Sequence, residues 1–155
     1  MKIIYIIIEN FNRELIGKLY LSINLVNSLK NYKIIIGEKN KLRKYLMRAP
    51  TGIIIEKGMR KGMIENIKKL KKKNHLIFLN DEEAITYIDD DFYFKRNIDN
   101  DIQNQVDFFL ATSTRHKSTL AKKIKKNKIF VIGNLRYDIK KKNYEEIYKD
   151  VTNEI

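Results

Sequence analysis

The hydrophobic pattern of this chain predicts an α/β fold: a mostly parallel sheet of about six strands with helices on both faces. The apolar runs are short, continuous and rich in isoleucine rather than alternating, which suits strands buried on both faces. Segments with apolar residues three and four apart separate them, as crossovers between parallel strands require. The most telling runs also halt abruptly at polar residues, the way a strand delivers functional groups to the edge of a sheet.

Ile3 to Ile8 reads as the first strand. From about Asn12 to Asn31, Leu15, Leu19, Ile23, Val26 and Leu29 recur at helical spacing and predict the inward stripe of the first helix. Tyr32 to Ile36 is the second strand, closed by Gly37, with a short helix from about Lys39 to Met47 after it. Ala49-Pro50-Thr51-Gly52 holds the only proline and breaks the chain. Ile53 to Ile55 is the third strand. A lysine-rich helix from about Arg60 to Lys73, with Met63, Ile67 and Leu70 inward, leads to the fourth strand at Leu76 to Leu79. The acidic segment that follows reads as irregular or weakly helical. Phe108 to Ala111 is the fifth strand, Thr114 to Lys126 a helix with Leu120 and Ile124 inward, and Ile129 to Ile132 the sixth strand. The polar stretch after Asp138 predicts one more helix.

At 155 residues the chain is expected to form one domain, burying about two-thirds of the surface of the unfolded chain. The absence of cysteine excludes disulfides, thiolate metal sites and a cysteine nucleophile, and fits a reducing compartment. The apolar run at the N-terminus is too short for a signal-peptide core, and no run approaches the ~20 apolar residues of a spanning helix, so a soluble, cytoplasmic protein is expected. The net charge of +13 invites a nucleic-acid reading, but its distribution argues against one. From Asp81 to Asp107 nine acids stand against Lys95 and Arg96, a net of −7, which leaves +20 elsewhere. That excess sits largely in lysine runs on helical segments, where lysine suits a solvated face. The runs lack the interleaved aromatics and arginines of a base-reading surface, so nucleic acid is disfavoured, and weak attraction to an anionic substrate or membrane surface is the functional alternative. No glycine-rich phosphate loop occurs. His75 and His116 do not make a zinc site, and Asp89-Asp90-Asp91 reads as an exposed acidic loop rather than a cation site.

Three strand ends carry the candidate site. Phe130 to Ile132 runs into Gly133-Asn134-Leu135-Arg136-Tyr137-Asp138, Ile3 to Ile8 into Glu9, Asn10, Asn12, Arg13 and Glu14, and Leu76 to Leu79 into Asn80, Asp81, Glu82 and Glu83. Parallel strands place all their carboxyl ends on one side, so Asn12, Arg13, Glu14, Asp81, Glu82, Asn134 and Arg136 are expected to gather at one edge of the sheet. Gly133 suits a strand end that needs positive φ or a close approach.

The order of these segments, together with Ile34-Ile35-Ile36-Gly37, Ala49-Pro50-Thr51-Gly52-Ile53 and Val106-Asp107-Phe108-Phe109, resembles the N-terminal half of the bacterial surface carbohydrate biosynthesis proteins, which are glycosyltransferase-like and have the two-domain GT-B architecture. The resemblance covers nearly the whole chain. It departs from the family at Ala84, where Gly is common after Asp-Glu-Glu, and at Leu135, where Pro is common after Gly-Asn. It implies a Rossmann-like, acceptor-side domain over residues 1–138 and, over 139–155, a polar, partly helical tail where a linker to a second domain would begin. It also implies a glycan or glycolipid acceptor and a location at the inner face of the membrane. No cofactor is expected on this chain itself, and a nucleotide-sugar donor only once a second domain or a C-terminal-half partner chain completes the cleft.

Sugar transfer needs a base near the acceptor hydroxyl and positive groups facing phosphate. Glu14, Glu82 and Glu83 are the candidate bases. Arg13 and Arg136 offer planar forks for an anionic acceptor or phosphate, with Asn12, Asp81, Gly133, Asn134 and Asp138 as further substrate-binding candidates. Structural readings stand beside these. Asn12 and Glu14 also suit a helix start, Asp81-Glu82-Glu83 an acidic first turn, and Arg136 with Asp138 an ion pair across a turn. A non-catalytic module for anionic glycan or the membrane surface is the alternative function.

Overall fold

A computed structural model describes residues 1–58, 61–84, 89–97 and 103–139, with backbone only at 61, 96 and 97. The further helix expected after Asp138 falls almost wholly outside these residues. The strands are β1 (Lys2–Ile8), β2 (Tyr32–Glu38), β3 (Ile53–Glu56), β4 (Leu76–Asn80), β5 (Phe108–Ala111) and β6 (Ile129–Val131). Between and after them come α1 (Phe11–Ser28), α2 (Lys39–Leu46), α3 (Ile64–Lys72), α4 (Asp90–Asn97), α5 (Thr114–Leu120) and the single turn α6 (Leu135–Asp138). All neighbouring strands are parallel, in the order β2-β1-β3-β4-β5-β6. The predicted fold class is therefore the observed one, a Rossmann-like α/β sheet of six parallel strands.

Strand order reverses at β1: the chain steps one way to β2, then returns past β1 to β3. Tyr5 lies opposite Ile54 and Ile6 opposite Ile55 across that junction. In such sheets the crevice beyond the carboxyl ends at the reversal is where ligands bind. Here it lies beyond Ile8 of β1 and Glu56 of β3.

The two faces of the sheet are covered unequally. On one, Tyr5, Ile7, Ile54, Ile77, Leu79 and Phe109 meet α2 through Leu42 and Leu46, α3 through Ile67 and Leu70, α4 through Tyr93 and Phe94, and α5 through Leu120. On the other, Ile4, Ile6 and Ile55 meet Leu21, Leu25 and Leu29 of and just after α1. Farther along this second face an edge-to-face aromatic ladder crosses the strands, Phe78 to Phe108 at 4.9 Å and Phe108 to Phe130 at 5.6 Å, with Phe130 half exposed.

Several element expectations need correction. Leu19, Ile23 and Val26 of α1 face solvent; the buried positions are Glu14, Gly17, Lys18 and Ser22. Asn10, not Asn12, caps α1, its side chain accepting the Arg13 N–H at 3.3 Å. Gly37 does not close β2. The strand runs on to Glu38, whose carboxylate accepts the Asn40 and Lys41 N–H groups and starts α2 at once. The acidic segment includes a true helix, α4, entered through Asp89, which accepts the Phe92 N–H at 2.7 Å. The helix expected to reach Lys126 ends at Leu120.

Candidate functional site

Beyond β1 and β3 lies a network of charges. Lys57, just past β3, directs its ammonium at Glu14 Oε1 (2.8 Å), Glu9 Oε2 (3.4 Å) and Glu83 Oε1 (3.4 Å). Arg13 reaches Glu83 at 3.2 Å and Glu14 at 3.6 Å, and Lys39 holds Glu9 at 2.6 Å. One layer deeper, Lys18 and Glu82 form an ion pair with both side chains only 2% exposed. Four carboxylates thus face four cations contributed by α1, α2 and the ends of β1, β3 and β4.

Each partner's environment follows from this geometry. Burial pushes the Glu14 carboxyl up, but Lys57 and the Glu9 N–H (3.0 Å) together hold it below the usual carboxylate range. Burial likewise lowers Lys57, and its bond to Glu14 outweighs that and raises it. The hydrogen bond from Lys39 lowers Glu9. Behind the network Glu56 is buried against Arg43 (2.8 and 3.2 Å), and burial leaves its carboxyl above the ordinary value in spite of the guanidinium.

Among the three candidate bases, Glu14 has no exposed side-chain surface and accepts from Lys57 and the Glu9 backbone, which makes it a fixed structural anion. Glu82 is sealed by Lys18, and its carbonyl accepts from the Asn134 side chain at 3.1 Å. Glu83 is the one with an accessible carboxylate, 32% exposed. The structural reading of Asp81-Glu82-Glu83 as the first turn of a helix is not met: these residues form a turn after β4, with Asp81 accepting the Glu83 N–H at 3.1 Å.

The Gly133 turn comes to the same place. Gly133 has φ +84°, and a Cβ there would lie 3.0 Å from Asp138 Oδ2, so both the backbone and the space favour glycine. Asn134 caps α6 through the Arg136 N–H and ties the turn to the end of β4 through Glu82. Leu135 and Ile139 approach α1 where Gly17 has no side chain: a Cβ would sit 3.4 Å from Ile139 and 3.6 Å from Leu135. Between α1 and α6 opens a groove of about 330 Å³ lined by Asn12, Arg13, Ile16, Gly17, Arg136, Tyr137 and Ile139. Arg136 and Asp138 do not pair across the turn. The Arg136 guanidinium makes no ion pair or side-chain hydrogen bond among the described residues. A depression of about 450 Å³ between α2 and α3 is larger, but it lies on the other face of the sheet and its Arg43 is committed to Glu56.

Asp81 belongs to a second, buried chain of hydrogen bonds. The Thr112 N–H donates to His116 Nδ1 at 3.1 Å, so a neutral His116 carries its proton on Nε2 and donates to Tyr93 Oη at 2.8 Å. The Tyr93 hydroxyl in turn donates to Asp81 Oδ2 at 3.0 Å. Burial lowers the His116 pKa to about 4 and raises that of Asp81.

The structure therefore brings Asn12, Arg13, Glu14, Glu82, Glu83, Asn134 and Arg136 to one edge of the sheet. It sets Asp81 beneath them and Asp138 behind Gly133. Lys57, Lys39 and Lys18 are the cations of the network that sequence reasoning missed. Lys57 was within reach of the strand-end rule, since Ile53 to Ile55 halts at Glu56-Lys57-Gly58. Lys18 carried no signal, because a helical lysine ordinarily marks a solvated face. Among the described residues no cluster has the makings of a metal site, and no helix is long and apolar enough to cross a membrane. Asp90, one of the acids of the run at 89–91, pairs with Lys122 and accepts from Thr119 at 2.8 Å. Compared with family models, with curated proteins and with solved structures, the chain matches none.

Proposed function

We propose that this chain is the acceptor-side domain of a glycosyltransferase-like protein of surface polysaccharide synthesis, incomplete for catalysis by itself. What supports the reading is the groove between α1 and α6, which opens at the carboxyl edge of the sheet and carries two guanidinium groups. In the network around Lys57 the charges of the described residues balance, four carboxylates against four cations. Arg136 is left as the cation without an acid partner among the described residues, so the groove favours an anion. Arg136 and Arg13 hold a phosphate or carboxylate of a glycan or glycolipid acceptor, Tyr137 packs against its apolar part, and Asn12 hydrogen-bonds a hydroxyl. Glu83, held by Arg13 and Lys57, takes the proton of the attacking hydroxyl. Glu14, Glu82 and Asn134 position these groups rather than react.

The donor's diphosphate needs a second wall beyond the groove formed by the described residues, and positioning donor and acceptor together contributes on the order of 7–11 kcal/mol to such reactions. The test is a sugar-nucleotide turnover assay of the chain alone and with a C-terminal-half partner. No transfer is expected alone and restored transfer with the partner. Arg136→Ala is expected to raise KM for an anionic acceptor, and Glu83→Gln to lower kcat. Robust transfer by the chain alone overturns the half-enzyme reading. Saturable binding of anionic glycan, abolished in Arg136→Ala and with no transfer under any condition, would instead assign a binding module.

A further inference from the structure

We propose that the outer face of α1 is a homodimer surface, pairing antiparallel with α1 of a second copy about a two-fold axis. The helix leaves Ile16, Leu19, Ile23 and Val26 exposed by 44%, 43%, 60% and 53%. Their spacing of three, four and three residues lays them along one stripe of the helix. The stripe is also palindromic about position 21, so that an antiparallel partner sets Ile16 against Val26 and Leu19 against Ile23 at once. A two-fold interface demands this kind of self-complementarity.

Charge selects a second copy as the occupant. One-third of the chain is charged and its net charge is +13, yet Leu19 to Leu29 contains no charged residue. Other helical surfaces carry lysine runs, such as Lys68-Lys69 on α3 and Lys122-Lys123 after α5, where two copies would repel. On α1 the same register sets Lys30 against Asn12, and no like charges oppose each other along it. A lipid-facing helix would border its apolar stripe along its length with lysine or arginine; here Tyr20, Asn24 and Asn27 flank it, Asn24 being bonded to its own helix at the Tyr20 carbonyl (2.8 Å), and only Arg13 and Lys30 stand at its two ends. One helix per copy covers less than the ~800 Å² per partner of a standard interface, so the dimer is expected to dissociate in the micromolar range.

Sedimentation velocity of the full chain over a micromolar to near-millimolar series should show a monomer–dimer equilibrium that tightens as added salt screens the net charge. Ile23→Lys should weaken it at least about tenfold while leaving the circular dichroism melt unchanged. The chain has no cysteine, so the geometry can be trapped directly. Leu19→Cys and Ile23→Cys chains, mixed and oxidised, should give more covalent dimer than either alone. A monomer at every concentration, or cross-linking in each single variant as efficient as in the mixture, overturns the proposal. So does binding to anionic phospholipid vesicles that Ile23→Lys abolishes while the protein stays monomeric, which would reassign the face to lipid.

Discussion

Helices α1 and α3 were read by the same rule and turned out oppositely. In α3 the apolar residues Ile67 and Leu70 face the core and the lysines face water, as the periodicity predicts. In α1 the residues with the clearest helical spacing face water, and a glutamate, a lysine, a glycine and a serine are buried beside Leu21 and Leu25 on the sheet side. The difference is in the opposite faces. Apart from Asn66, the helix α3 is charged wherever it is not apolar, so only one rotation buries it. The helix α1 carries apolar residues both on its inner side, at Leu21 and Leu25, and on its outer stripe, at Leu19, Ile23 and Val26, so burial of apolar surface alone does not choose between the two rotations. Three contacts choose: Lys18 with Glu82, Glu14 with Lys57, and Gly17 against Leu135 and Ile139. Rotating Leu19 and Ile23 inward would strand Glu82 and Lys57 without their partners. Periodicity therefore locates a helix, and specific partners orient one whose pattern is degenerate.

The sharpest way to break this comparison is to remove a partner that orients α1. Lys18→Ala leaves Glu82 as an uncompensated buried charge and should cost about 3–5 kcal/mol in urea unfolding. The double change Lys18→Met with Glu82→Leu should recover most of that, since replacing a whole buried pair by apolar groups is often neutral. A single change that costs under about 1 kcal/mol would mean that the pair does not hold the helix.

The next effect lies in pH. Burial depresses the folded pKa of His116 to about 4, below the roughly 6.5 of an ordinary imidazole, so the neutral ring's contribution is complete above the unfolded value and is lost as pH falls toward 4. Its full size is on the order of 3 kcal/mol. Asp81, joined to it through Tyr93 and raised by burial, acts in the opposite sense: stability falls as pH climbs from its unfolded to its folded value. Comparing wild type with His116→Gln across this window isolates the histidine, and the variant should lose much of the decline on acidification. Parallel pH profiles for the two proteins would show that His116 is not held neutral.

The smallest effect compares the two stripes directly. Ile67→Val should cost about 0.5–1.5 kcal/mol, as for a buried methylene. Ile23→Val, measured dilute enough to be monomeric, should stay within about 0.5 kcal/mol of wild type. Equal costs at the two sites would mean that α1 is turned inward after all.

The sequence by itself determined the fold class, the succession of six strands, and the gathering of the Arg13, Glu83 and Gly133 segments at one edge. The continuous isoleucine run of β1 is buried on both faces while that of the edge strand β2 is only partly so, parallel strands send their carboxyl ends one way, and Gly133 before an Asn cap fits the positive φ found there. Only the tertiary structure decided the strand order, with its reversal at β1, and the inward face of α1. The same is true of the chain from His116 through Tyr93 to Asp81, which joins residues of α5, α4 and the end of β4. The strand order rests on which apolar strands pair, and similar isoleucine runs do not name their neighbours; the other two share one physical reason. A lysine, tyrosine or histidine reads as a surface group until a partner distant in the chain compensates its burial, and nothing in the local pattern of Lys18 names Glu82 as that partner.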